Sequence, residues 1–220
     1  MHIIQEEIGL PKVSVIKESE NFSVFCIEPL PSGYGMTVGN SLRRVLLSSL
    51  PGTAIIAVRV ENAKHEYSTL PGVKDSVLDL IINLKGVFFR KHTKGRETIS
   101  LEKKGEGLVC AKDIVTSSDI EILNPDYVIT NLSGKNASLK VDIIVEKSVG
   151  YSPAKERLQE SELVEYIHVD ALFSPVEKVK YEVEPTRVGE RTNLDKVILE
   201  IGTNGAMTPR SEEHTSELQS

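Results

Sequence analysis

The chain has 220 residues, of which 40% are hydrophobic, 26% charged and 5% aromatic, with a formal net charge of −6. That size supports one or two domains with a real core, and the composition excludes a disordered or collagenous chain. No apolar run approaches the ~20 residues that span a bilayer, so no membrane segment is expected. The start, MHIIQEEIGLPK, lacks the basic end and apolar stretch of a signal peptide. Two cysteines, Cys26 and Cys110, are too few for a disulfide framework and fit a reduced, cytoplasmic compartment. An acidic chain is not expected to grip nucleic acid over a broad face, so any basic site must be local.

Val13 and Val15, then Phe22, Val24 and Cys26, alternate across a polar break at Glu18 to Asn21, which predicts a β-hairpin ended by Pro29 and Pro31. A helix is predicted from about Thr37 to Leu50, where Val38, Leu42, Val45 and Leu46 fall at helical spacing and Pro51-Gly52 stops it. Thr53 to Glu61 reads as a strand with Ala54, Ile56, Val58 and Val60 on one face. Val73 to Leu84 carries a wide apolar stripe and reads as a second helix. From Val87 to Val149 the pattern is short strands, among them 97–103, 108–114, 127–132 and 137–148. Residues 151–164 read as a loop or short helix. Strands return at 166–173, 176–183 and 194–201. Hairpin, helix, strand, helix and many strands together predict an α+β fold with antiparallel sheets, not a series of βαβ units.

The last stretch, Arg210 to Ser220 (RSEEHTSELQS), has no apolar periodicity and looks like a translated sequencing-adapter oligonucleotide. It is set apart from the fold as one would a fusion scar. Leaving it out removes Arg210, Glu212, Glu213 and Glu217, which moves the net charge from −6 to −4. The expectation is that the natural chain continues past Pro209.

Signals for chemistry are sparse. There is no GxxxxGK[ST] loop and no G-x-S-x-G elbow, and the five histidines have no metal-ligand spacing with a cysteine. Asp113, Asp119 and Asp126 are dispersed. Neither a catalytic residue, a cofactor nor a metal is expected on this chain. Gly33 to Gly39 (GYGMTVG) imitates a dinucleotide loop and leaves a nucleotide-binding enzyme as the alternative. Its spacing is off by one, and Pro29 to Ser32 place a stiff loop where a tight turn is required. Glycines that shape a turn and permit close packing are the stronger reading. The next helix is more apolar than one stripe requires, with Arg43 and Arg44 in its middle. The residues alone leave an interface anchor and a plain surface pair equally open. His65-Glu66-Tyr67-Ser68-Thr69 is interface-like, although such patches also occur on ordinary surfaces.

Several stretches together resemble the N-terminal part of the bacterial-type DNA-directed RNA polymerase alpha-subunit family. They are GYGMTVGNSLRRVLLSSLPG (33–52), HEYST (65–69), NLKG (83–86), GYSPA (150–154), SPVEKVKYEVEPTRVGERTNLDK (174–196) and Asn204-Gly205. The likeness covers residues 5 to 209. It implies a non-catalytic scaffold within a nucleotidyltransferase, a homodimer that gathers the beta and then the beta-prime subunit. It also implies two parts: a discontinuous dimerisation domain (1–52 with 169–209) and an inserted β-rich domain (53–168). By this resemblance Val38, Gly39, Leu42, Val45, Leu46 and Leu50 lie at the dimer interface. Arg43, Arg44, His65, Glu66, Tyr67, Ser68, Thr69 and Lys85 face the large subunits. The family's later dimerisation helix begins where this chain reaches Thr208-Pro209, and its linker and DNA-binding domain follow. Weak dimerisation or none, exposed apolar surface on the first helix and no direct DNA binding are therefore expected of this sequence.

Overall fold

The computed structural model describes residues 9–63, 65–134, 136–157 and 165–207. In chain order, β1 (Lys12–Ser19), β2 (Phe22–Pro31), α1 (Tyr34–Ser48) and β3 (Pro51–Val60) come first. They are followed by α2 (Val77–Leu84), β4 (Phe89–Lys91), β5 (Gly95–Lys104), β6 (Gly107–Cys110), β7 (Ile114–Val115), β8 (Ile120–Ile122), β9 (Val128–Leu132) and β10 (Ser138–Val149). The chain closes with β11 (Tyr151–Ser152), α3 (Ala154–Arg157), β12 (Ile167–His168), β13 (Ala171–Leu172), β14 (Val176–Val188) and β15 (Arg191–Thr203). Every strand pairing among these is antiparallel, as the α+β reading requires.

The chain divides into two compact units at 50/51 and 174/175. Residues 169–174, expected with the outer domain, belong to the inserted unit. Val169 lies in that unit's main core, and Ala171 and Phe173 lie in its second cluster. The outer unit is a four-stranded sheet in the order β1-β2-β15-β14. Alternation along β15 sends Val197, Leu199, Ile201 and Thr203 to one face, all buried. On that face Phe25, Leu199, Ile201, Val176 and Val179 pack with Leu46 and Leu50. The opposite face carries ion pairs: Lys180 with Glu182 and Glu200, and Lys196 with Glu184. One face is apolar and the other wet, as in an antiparallel sheet with a single helical cover.

Among the elements whose ends differ from the sequence reading are β2, α1 and α2. β2 does not end at Pro29 but runs through Pro31. Its pairing with β1 finishes at Lys12–Glu28, so both prolines lie where β2 has no further β1 partner and a missing N–H costs nothing on that side. α1 begins at Tyr34, three residues early, and stops at Ser48 rather than Leu50. α2 begins at Val77 instead of Val73, because the Ser76 hydroxyl accepts the Asp79 N–H at 3.2 Å and caps the helix.

The inserted unit is built on a five-stranded sheet, β12-β3-β10-β5-β7. β10 is its spine, pairing with β3 on one side and β5 on the other. Its Leu139, Val141, Ile143 and Val145 are buried together with Val77, Leu80, Ile81 and Leu84 of α2. β3 does not hold Ala54, Ile56, Val58 and Val60 on one face. A register shift opposite Ile144 and Val145 leaves Ile56 unpaired, so the face changes along the strand. Val58 and Val60 join the main core, whereas Ile56 and Ala54 join the second cluster. Residues 108–114 are not one strand but β6, a 3-10 turn at Ala111–Asp113 and β7. Residues 166–173 form two short strands, and 158–164 of the expected loop lie outside the described residues.

A buried lysine ties β4 to β5 and to the turn before β8. The Lys91 side chain, only 3% exposed, is paired with Asp119 and with Glu97 at 2.8 Å, and also donates to Thr93 at 3.1 Å. Hydrogen bonds from Lys91 and Thr93 pull the Asp119 carboxyl down to about 2, and that from Lys91 lowers Glu97. A carboxylate with a depressed folded-state pKa stabilises above its unfolded value, near 4, and loses that contribution as pH falls through the folded value. Thermal unfolding midpoints should therefore fall between about pH 4 and pH 2, and Asp119→Asn should flatten that limb. An unchanged acid limb in the variant contradicts the account.

α1 reaches its sheet through glycines. A Cβ on Gly35 would lie 2.6 Å from Val183 Cγ1, and one on Gly39 would overlap the Tyr181 ring. Gly39→Ala should cost about 1–3 kcal/mol by overpacking, with part of the loss restored by Tyr181→Leu. Denaturant melts of the single and double variants measure both effects.

Candidate interaction surfaces

α1 presents distinct faces. Gly35, Gly39, Leu42 and Leu46 recur at i, i+4, i+7 and i+11, the spacing of one helix face, and turn toward the sheet. Tyr34, Val38 and Val45 recur at i, i+4 and i+11 on a flank, where Tyr34 and Val45 are exposed and Val38 is half-buried. Arg43 and Arg44 are exposed, and the Arg44 carbonyl accepts the Ser48 hydroxyl at 2.6 Å. Of the six residues expected at a dimer interface, Gly39, Leu46 and Leu50 are buried within their own unit and Leu42 is partly covered. Val38 is half-buried and Val45 exposed.

The N-terminus of α1 decides the nucleotide alternative. Gly33, at φ 84°, caps the helix in a backbone conformation that favours glycine. Its N–H and that of Gly35 both donate to one Asp195 oxygen, at 2.8 and 3.0 Å. Helix N-terminal amides attract anions, and here a carboxylate of the protein itself already takes them. Gly39, the last glycine of the imitated loop, is inside the helix against Tyr181. The loop is a latch between helix and strand. Sequence reasoning had no signal for Asp195, since nothing local marks a partner 160 residues away.

The HEYST stretch and Lys85 are both in the inserted unit, and they bracket α2. His65 and Ser68 close a turn through Ser68 N–H to His65 O at 3.0 Å and His65 N–H to Ser68 Oγ at 3.2 Å. Tyr67 is exposed, its ring tilted against His65 with centroids 6.4 Å apart. The Ser68 carbonyl accepts the Val77 N–H at 3.0 Å, and Thr69 bridges to Ser76. The patch is thereby fastened to the start of α2. Lys85 is exposed at the other end, where its N–H caps Ile81 O at 3.1 Å.

The neighbours of Lys85 fix its position. Asn83 Nδ2 donates to Ile129 O and Asn124 Nδ2 to Gly86 O, both at 2.8 Å. The Tyr127 hydroxyl occupies the space a Cβ on Gly86 would need. Asp170 is close enough that Lys85 contributes to lowering its carboxyl, although the leading cause is the Ala154 N–H hydrogen bond. The structure also exposes Leu78 and Ile82 on α2, which no motif marked, and Tyr151 of the GYSPA stretch, paired across from Leu172. Among the described residues no trio of His, Cys, Asp or Glu is placed to hold a metal, and no helix is long and apolar enough to cross a membrane.

A split sheet-and-helix unit carrying a β-rich insert defines the class, and residues 58–174 match the family described as the RNA polymerase Rpb3/RpoA insert domain. The chain belongs to that family. It is 47% identical over 205 residues to the DNA-directed RNA polymerase subunit alpha of Heliobacterium modesticaldum, covering 92% of this chain and 65% of the relative. The corresponding subunit of Desulfitobacterium hafniense is 45% identical over 212 residues, covering 96% and 66%. That of Symbiobacterium thermophilum is 47% identical over 201 residues, covering 90% and 64%. The chain thus spans just under two thirds of the length of these relatives.

The nucleotide alternative finds no support in these relatives' names. With Asp195 seated on the α1 amides, adding ATP or NAD should leave the thermal midpoint unchanged. A dye-based thermal-shift titration that showed saturable stabilisation would restore the alternative.

Proposed function

We propose that this chain is an assembly subunit of a DNA-directed RNA polymerase, in which it supports transcription without supplying catalytic residues. Two copies associate through α1, and the pair gathers the beta subunit and then beta-prime. The observation that carries this reading is the division of labour on α1. One face is buried against its own sheet, while the exposed Tyr34 and Val45 and the half-buried Val38 form an apolar flank outside that core cluster. A helix resting on a single sheet needs one apolar face, and the second has a use in a symmetric contact. Such a contact is isologous, so each copy offers the same patch. Nucleotidyl transfer and its metal then belong to the large subunits. DNA is reached only through the assembled enzyme.

Arg44 is proposed to capture the beta subunit. It is exposed on α1 and not engaged in the sheet contact, so its side chain can be removed without opening the core. Arg44→Ala should weaken recovery of beta in a pull-down by about tenfold or more, the size expected of an interface arginine. Its thermal midpoint should match the parent chain. Undiminished recovery would remove Arg44 from this role.

A further inference from the structure

We infer that Ser23 and Thr203 hold one internal water molecule between them, on the apolar face of the outer sheet. Ser23 is fully buried and Thr203 is 5% exposed. Neither hydroxyl finds a hydrogen-bond partner among the described residues. The two share a face. Thr203 follows Val197, Leu199 and Ile201 on the buried side of β15, and Ser23 stands opposite Ile201 on β2. Ser23 and Thr203 are therefore diagonal neighbours across these two strands. The strands are still joined at this point, where the Thr203 N–H donates to Asn21 O at 2.8 Å.

Chemistry and spacing both select water. A buried hydroxyl that bonds nothing destabilises its fold, and here two lie close together in apolar surroundings. Val176 stands opposite Thr203, Ile201 opposite Ser23, and Phe25 two residues along β2. All three are buried in one apolar cluster. The occupant is therefore small and takes its polar contacts from these two side chains. Each hydroxyl offers a donor and acceptor lone pairs, so together they supply the two polar partners that a buried water requires. Diagonal Cα atoms on paired strands are about 7–8 Å apart. Two short side chains on the same face then leave a gap that a single oxygen crosses with two hydrogen bonds of about 2.8 Å. The position gives the water its role. Leu50, the last residue before the insert, and Val176, almost the first after it, belong to the same cluster. The water ties β2 to β15 where the interrupted unit is closed.

Native-state hydrogen exchange of the β15 amides in the whole chain tests this, because it reads the opening of the outer unit. Ser23→Ala and Thr203→Val each remove one hydroxyl and little else. Each should speed exchange about fivefold, the size of one lost hydrogen bond. The double variant should exchange no faster than the faster single variant, since the first substitution already loses the shared water. Unchanged or slower exchange in the single variants marks hydroxyls that hold nothing, and overturns the inference. Effects that multiply in the double variant place each hydroxyl on a partner of its own, and overturn it equally. A crystal structure of the parent chain decides the matter even where a variant fails to fold. One water within about 3.2 Å of both oxygens is expected there, and clear density without it removes the site.

Discussion

The outer unit depends on one long-range contact, the seating of α1 on β14 and β15. Residues 34–48 and 176–203 are far apart in the chain, and two devices join them. Asp195 accepts the Gly33 and Gly35 amides at the helix start. Gly35 and Gly39 let its axis come down onto Val183 and Tyr181. The first device satisfies donors that would otherwise lack partners at a helix start. The second sets the distance at which Leu42 and Leu46 enter the core. Without the small residues the helix would ride higher, and the same leucines would meet the sheet poorly.

That seating also determines what α1 offers to the outside. A helix has a fixed angular relation between its positions, so placing Gly39 and Leu46 on the sheet leaves Val45 and Arg44 no choice of direction. The flank of Tyr34, Val38 and Val45 follows from the latch. The same logic holds in the insert, where burying Leu80 and Leu84 obliges Ile82 and Lys85 to face away. Presentation of the outward residues is a by-product of core packing.

The hairpins, the helices and the antiparallel order were legible because periodicity reports which side of an element is buried. The hairpin of β14 and β15 was read short, since beyond Glu184 the sequence turns polar while the strands remain paired out to Val188 and Arg191. The face change in β3 was not legible, for a bulge shows in the partner's register and leaves no mark in the strand's own sequence. The start of α2 was misplaced although Ser76 and Asp79 spell a helix cap, because Val73 extended the apolar pattern backward. At the surfaces, motifs located HEYST and Lys85, but Leu78 and Ile82 were indistinguishable from core until the fold showed which side of α2 faces in. The dimer-interface assignment has the same weakness. Apolarity alone does not separate Leu46, which is buried in its own unit, from Val45, which is not.

An insert as large as residues 51–174 places a demand on the unit it interrupts. Closing a long loop costs entropy that rises slowly with its length, so the size of the insert is tolerable if its ends are anchored close together. The outer unit supplies that anchoring in its own core. Leu50, the last residue before the insert, and Val176, almost the first after it, are buried in the same cluster with Leu46 and Leu199. The chain departs from and returns to one patch of apolar contact. The two halves of the sheet can then pair as though contiguous, and β15 can reach β2 across their separation in sequence. Any change that loosened Leu50 or Val176 would therefore act on more than packing. It would weaken the point at which the interrupted unit is closed, and with it the latch that aims α1.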